Sequence, residues 1–259
     1  MLYTLITGAS KGIGKAMAEQ LAAKKHHLLL IARTAELLEN LAETLKKEFN
    51  IQVDYLAIDL ADQGASQTIF SWCQANNYQI NILINNAGYG NSGHFELQNA
   101  KAHTDMMHVN MTVPVELISL FLPSLKNKTK AYILNISSVA AYQAVPGLSL
   151  YAASKSFILS FSRGLRYELK NTSVSVTVIA PGGTDTDFAN RAKVGVKAIK
   201  AGEKLNMTAN EVAQQALEAM FAEKNEVITG NLNKVGAALT WLMPKMVSEK
   251  VAAGIYNIE

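Results

Sequence analysis

Short runs of apolar, strand-forming residues alternate with longer segments of helical periodicity along this chain. The runs fall at about residues 2–6, 27–32, 52–58, 80–84, 131–136, 174–179 and 225–228. They are nearly continuous in apolar character, which is the pattern of strands covered on both faces in a parallel sheet. Helices are predicted at about 12–24, 34–49, 64–76, 99–126 with a break near Asn110, 151–170 and 209–222. Alternation of this kind implies right-handed strand–helix–strand crossovers and a doubly wound α/β sheet. Ligands of such sheets bind beyond the carboxyl ends of the strands.

Two pieces of chemistry sit at those ends. The first strand, Leu2 to Ile6, runs into Thr7-Gly8-Ala9-Ser10-Lys11-Gly12-Ile13-Gly14 and then into a helix. A glycine-rich turn at a helix N-terminus lets backbone N–H groups approach a pyrophosphate, and the helix dipole favours its charge. The spacing is G-x-x-x-G-x-G rather than the commoner G-x-G-x-x-G. The second piece is Tyr151-Ala152-Ala153-Ser154-Lys155, with Ser138 thirteen residues before the tyrosine. With Tyr151 opening a helix, Lys155 lies one turn on and shares its face. A lysine ammonium beside a phenol is expected to lower a pKa that is ordinarily about 10, so that Tyr151 exchanges a proton near neutral pH. Alone, Tyr-x-x-x-Lys would read as a solvated helix face; the phosphate turn changes that reading.

Together these blocks resemble the short-chain dehydrogenase/reductase family in its form of roughly 250 residues, and further segments follow in the family's order. Asp59-Leu60 follows the third strand, Asn85-Asn86-Ala87-Gly88 the fourth, and Asn110 interrupts a helix. Pro181-Gly182-Gly183-Thr184-Asp185-Thr186 matches the family's P-G-x-x-x-T segment. The resemblance implies a Rossmann-type fold and an NAD(P)-dependent oxidoreductase. Tyr151 would be the general acid in carbonyl reduction, and Lys155 would hold the nicotinamide ribose and tune Tyr151. Ser138 would orient the substrate oxygen, with neighbouring Ser137 excluded by the family spacing, and Asn110 would hold a water that links Lys155 to solvent. The cofactor would lie along Gly8, Ser10, Lys11, Gly12, Ile13, Gly14, Arg33, Asp59, Leu60, Asn86, Ala87, Gly88, Pro181, Gly182, Thr184 and Thr186, reaching Tyr151 and Lys155.

NAD sites usually carry an acid after the second strand, to accept from the ribose 2′-OH. Here that position is Ala32, followed by Arg33. A guanidinium pairs with the 2′-phosphate that a carboxylate would repel, so the expected cofactor is NADPH/NADP+ in preference to NAD. Lys11 matches a basic position of NADP-preferring relatives.

At 259 residues, with 49% hydrophobic and 17% charged residues, the chain can bury a sizeable core, and no linker or repeat divides it. One domain over 1–259 is expected, with a substrate lid at about 185–207 and a C-terminal extension at about 231–259. The single cysteine, Cys73, leaves no disulfide framework. The first strand begins at Leu2 without a signal-peptide pattern, and no uncharged apolar run reaches membrane-spanning length. The expectation is a cytoplasmic protein. A net charge of +3 gives no nucleic-acid signature, and the five histidines show no metal-ligand spacing.

Tyr89, His94, Val139, Ala140, Tyr142, Val145, Phe188 and Met207 are candidate lining residues of an apolar substrate pocket. The lid carries Arg191, Lys193, Lys197, Lys200 and Lys204, read as a solvated face before a site for anionic substrates. Leu232 to Ile255 mixes apolar residues with lysines, and is expected to pack on its own domain or a partner subunit rather than a membrane. The apolar stripe Phe157, Ile158, Phe161, Leu165 and Leu169, with the resemblance, implies a homodimer or a homotetramer built from it. The leading function is NADPH-dependent reduction of an aldehyde or ketone. A 3-oxoacyl-thioester reductase of lipid metabolism and a non-catalytic NADPH sensor or scaffold are the alternatives.

Overall fold

Seven of the strands form one parallel sheet in a computed structural model, which describes residues 1–186, 188–192, 195 and 206–256. In chain order the elements are β1 (Leu2–Thr7), α1 (Gly12–Ala23), β2 (His27–Ala32), α2 (Ala35–Phe49), β3 (Val53–Ala57), α3 (Ala65–Ala75), β4 (Gln79–Asn85), α4 (Ala100–Met107), α5 (Val113–Lys126) and β5 (Ala131–Ile136). There follow α6 (Ser149–Glu168), β6 (Val174–Ala180), β7 (Thr184–Asp185), α7 (Phe188–Arg191), β8 (Met207–Thr208), α8 (Ala209–Phe221), β9 (Glu226–Ile228), α9 (Asn231–Leu242) and α10 (Lys245–Tyr256). The large sheet runs β3-β2-β1-β4-β5-β6-β9, with every pairing parallel. The strand order reverses between β1 and β4, which is where such sheets open a ligand crevice.

Strand periodicity divides the core into two layers. On β2, Leu28, Leu30 and Ala32 face α1, α2 and α8, whereas Leu29 and Ile31 face α3 and α5. Leu134 and Ile136 of β5 join the first layer, and Ala131 and Ile133 the second. The helices present matching stripes: Met17, Ala18 and Leu21 of α1 on one side, Leu117, Phe121 and Leu125 of α5 on the other. The run Ala100–Lys126 is apolar enough and long enough to cross a membrane by composition. Its buried Val109, Val113, Leu117, Ile118, Phe121 and Leu125 identify it as a core helix against the sheet.

The expected break in that run is a π-helical turn at His108–Thr112, so α4 and α5 are offset around Asn110. A π-bulge of this kind often marks a functional position. Helix α6 begins at Ser149, two residues before Tyr151, because the Leu148 carbonyl already accepts from the Ala152 N–H at 2.9 Å. Of the proposed dimer stripe on α6, Ile158, Leu165 and Leu169 are consumed by the chain's own core. Phe157 stays 41% exposed and stacks on Phe161 at 6.1 Å.

The C-terminal stretch forms α9 and α10, two helices for which the sequence pattern set no bounds. Leu232, Val235, Leu239 and Leu242 lie exposed along α9, while Ala252 of α10 is buried. The expected lid is described only at its ends. There β7 pairs with β8, and α7 carries Phe188 and Arg191. Lys193, Lys197, Lys200 and Lys204 lie outside the described residues.

Candidate active site

The cleft is organised by what joins β1 to β4. The Thr7 hydroxyl donates to the Ile84 carbonyl (3.3 Å) and accepts from the N–H groups of Asn86 and Ala87, both at 3.1 Å. Asn86 Nδ2 donates to the carbonyls of Thr7 (2.9 Å) and Gly8 (3.2 Å). The two strand-end loops are thereby pinned together, which leaves no room for side chains. Gly8 has φ +67°, and a Cβ there would stand 2.9 Å from Ala87 Cα; a Cβ on Gly14 would collide with the Gly8 carbonyl oxygen. Among the described residues no side chain caps the first turn of α1, whose N-cap is Lys11. Its N–H groups are thus available to an anion.

At the end of β5, Lys155 is held from two sides. Its Nζ donates to the Ile136 carbonyl (2.9 Å), and the Ser137 hydroxyl donates to the Lys155 carbonyl (2.7 Å). That bond gives Ser137 a positioning task, in keeping with the choice of Ser138. The Ser138 hydroxyl accepts from the Ala140 N–H (3.1 Å) and also hydrogen-bonds the Tyr151 phenol. Ser138, Tyr151 and Lys155 are each less than 9% exposed. They meet in one place.

The electrostatics differ from the expectation of a lysine-lowered phenol. Burial pushes the Tyr151 phenol up to about 12; hydrogen bonding with Ser138 opposes this, and Tyr256 adds to it. Burial brings the Lys155 ammonium down to about 8. Lys155 Nζ lies 5.8 Å from the Tyr151 ring centroid and bonds a backbone carbonyl. Desolvation of both groups therefore outweighs their attraction in the protein alone. At neutral pH the Tyr151 phenol therefore holds its proton.

Asn110 is 1% exposed and lies behind Gly88 and Lys155 rather than in the cleft wall. Its Nδ2 donates to the Tyr89 carbonyl (2.9 Å) and the Ser154 hydroxyl (3.0 Å), and its Oδ1 accepts from the Tyr89 N–H (3.1 Å). It fixes the loop after β4 against α6. At the opposite end of the cleft Arg33 and Asp59, expected as separate cofactor contacts, approach each other at 3.7 Å, both substantially exposed. Such a pair is worth little by itself and leaves the guanidinium accessible.

These groups border one continuous cleft of about 450 Å³. It is lined by Gly8, Ser10, Lys11, Gly12 and Ile13, by Arg33, Asp59 and Leu60, and by Asn86, Ala87 and Gly88. It reaches Ser138, Tyr151 and Lys155, with Pro181, Gly182, Thr184 and Thr186 along the far side. Of the residues nominated for a substrate pocket, Tyr89, Val139, Ala140 and Phe188 border this cleft. Four candidates do not. Met207 sits in β8 with its side chain against Gly230. His94 is exposed at a 3₁₀ turn; Tyr142 turns away to donate to Glu226 Oε1 at 2.6 Å; Val145 is buried behind Tyr151 with Met106 and Leu148. Tyr142 and Val145 are instead used in packing, and Tyr142 in a partly buried hydrogen bond.

The model of short chain dehydrogenases matches residues 3–197, three quarters of the chain, a span that includes Ser138, Tyr151 and Lys155. The chain belongs to the short-chain dehydrogenase family. It is 32% identical over 185 residues to very-long-chain 3-oxoacyl-CoA reductase-A of Danio rerio, covering 69% of this chain and 57% of that protein. It is 30% identical over 243 residues to 17-beta-hydroxysteroid dehydrogenase type 3 of Mus musculus, covering 90% of this chain and 76% of that one. The match thus spans little more than half of the first of these relatives. Among solved structures, a short-chain dehydrogenase from Sphingobium yanoikuyae in complex with NADPH superposes with a TM-score of 0.82 at 31% identity, covering 94% of this chain and 95% of the other.

A dinucleotide fits this short-chain dehydrogenase on its own geometry. The side-chain-free cradle at Gly8 and Gly14, the uncapped turn of α1 and the length of the cleft from Arg33 to Lys155 suit its phosphates and its two ends. Residues that the sequence reading missed are Leu148 and Tyr256, both lining the cleft near Tyr151 and Phe188. Tyr256 comes from α10, far from any motif, and no local spacing announces it. Arg191, read as a lid cation, also lines the cleft and places its guanidinium 4.4 Å from the Tyr89 ring centroid.

Proposed function

We propose that this short-chain dehydrogenase reduces an aldehyde or ketone with NADPH. The observation that carries the reading is the meeting of Ser138, Tyr151 and Lys155 on a cleft continuous with the glycine turn. In this reading Gly8 to Gly14 and the α1 N-terminus hold the pyrophosphate, Asp59, Leu60 and Asn86 to Gly88 flank the adenosine and ribose, and Pro181 to Thr186 border the nicotinamide. Arg33 pairs with the 2′-phosphate. NADPH, when bound, supplies the hydride that reaches the carbonyl carbon. Ser138 holds the carbonyl oxygen against Tyr151, and the phenol gives its proton to that oxygen as the C=O bond becomes C–H and O–H. Lys155, anchored by Ile136 and Ser137, holds the ribose and stabilises the phenolate left behind. Asn110 positions the path by which a water returns the proton through Lys155.

A panel of aldehydes and ketones, followed by loss of NADPH absorbance, tests this. Turnover of several members is expected; tight NADPH binding with no turnover across the panel would favour a sensor or scaffold. A 3-oxoacyl thioester is the second substrate class, favoured by the cation Arg191 in the cleft lining and by the reductase relative named for such a substrate.

The assembly in this reading is a homodimer, extending to a homotetramer, formed through the outer faces of α5 and α6. Exposed Phe157 and Tyr167 on α6 are what a twofold partner would cover. Light scattering at micromolar concentration is expected to give at least twice the 28.1 kDa of one chain; a mass of one chain would refute the dimer. A cytoplasmic location completes the proposal and rests on the lone thiol of Cys73, which is buried and unpaired.

A further inference from the structure

The nicotinamide end of the cleft is walled by residues from two places with no motif between them. Tyr151 and Phe188 pack with ring centroids 5.2 Å apart, and Leu148 lies beside them. The remaining side is closed by α10, which comes from the end of the chain: Ala252 is buried in the same apolar cluster, and Tyr256 packs against it while also lining the cleft. Tyr256 is thus both a core contact of the helix and a surface of the cavity. Burial raises its phenol, so it presents a neutral ring and hydroxyl, and its electrostatic influence reaches Tyr151.

We propose that α10 is the outer wall of the substrate pocket and that Tyr256 is its specificity-determining residue, packing an aromatic or branched apolar substituent of the ketone against Phe188 and Leu148. The inference rests on the carbonyl-reductase reading and adds the class of substrate: a ketone with one bulky apolar arm. A flat ring fits between aromatic faces, and a substrate without such an arm leaves Tyr256 untouched. Tyr256 discriminates among substrates; it does not carry the proton.

Two measurements separate this inference from the reading beneath it. In the first, acetophenone is titrated calorimetrically into the protein with and without NADP+, a mixture in which no reduction occurs. Tyr256→Ala should weaken acetophenone binding about three- to tenfold, the loss of one aromatic pair, and Tyr256→Phe should leave it within twofold. Tyr256→Leu, which keeps bulk without the ring, should fall between them and guards against an unfolded alanine variant. In the second, kcat/KM for acetophenone and for acetone is compared with NADPH. The alanine variant should lose on acetophenone by a similar factor and change on acetone by less than twofold. Equal loss on both ketones would overturn the proposal, as would unchanged acetophenone binding in the alanine variant or none in the unaltered protein. A protein that binds acetophenone through Tyr256 but turns over neither ketone would instead count against the reductase reading.

Discussion

Tyr151→Phe is expected to lower carbonyl turnover by about 10²–10⁴-fold, the range that a positioned general acid contributes. The phenylalanine keeps the ring in its cluster with Leu148, Ala152 and Phe188, so fold and cofactor binding should survive. The variant loses only the hydroxyl that meets Ser138. Steady-state rates at saturating NADPH, with NADPH affinity measured alongside, make the test. Near-normal turnover would remove Tyr151 from the chemistry. The elevated pKa gives the sign of the effect: below about 12 the phenol keeps its proton in the unliganded protein, so the group is poised to donate rather than to abstract. In the reductive direction nothing further is needed to ready it.

Arg33→Ala is expected to weaken NADPH binding by about ten- to a hundredfold and NADH binding by much less. A hydrogen bond to a charged group is worth roughly 1.5–3 kcal/mol, and each 1.4 kcal/mol is about a factor of ten. The structure sharpens the asymmetry, because Asp59 stands 3.7 Å from Arg33. Once the guanidinium is gone, that carboxylate faces a 2′-phosphate without compensation, whereas NADH presents only a hydroxyl. Titration of each cofactor into both proteins reads the ratio. Equal weakening of the two would show that Arg33 serves something other than the phosphate.

The sheet was legible because each strand repeats the same signal, a short run dominated by apolar, strand-forming residues between helical segments. Its seven main strands lie within about two residues of the bounds read from that pattern. Ser138, Tyr151 and Lys155 were legible because two of them share one helix turn and the third ends an adjacent strand, so local spacing fixed their neighbourhood. The tuning of Tyr151 was not legible. Spacing shows that a cation is near, but whether attraction or desolvation prevails depends on burial, which is a property of the whole fold. The substrate wall failed for the same reason. Tyr142 and Val145 have the composition of pocket residues and spend it elsewhere, while Tyr256 reaches the cleft only because α10 folds back on α6. Apolar character nominates residues for burial and does not say whether they face a cavity or a neighbour.

The cleft borrows from almost the full span of the chain, from Gly8 to Tyr256. The pyrophosphate cradle exists once β1 has found β4, which closes a loop of more than seventy residues and fixes Thr7 against Asn86. The proton-transfer set needs β5 and α6 as well, and the wall at Tyr256 must wait for the last helix. The glycine cradle thus comes from the first strand and its turn, whereas the wall at Tyr256 comes from the last helix. A ligand that occupies the finished cleft clamps early and late segments together. At a hundred times its dissociation constant, such a ligand would add about 2.7 kcal/mol to the stability of the whole. Resistance to unfolding thus reports on the earliest and the latest parts of the chain at once.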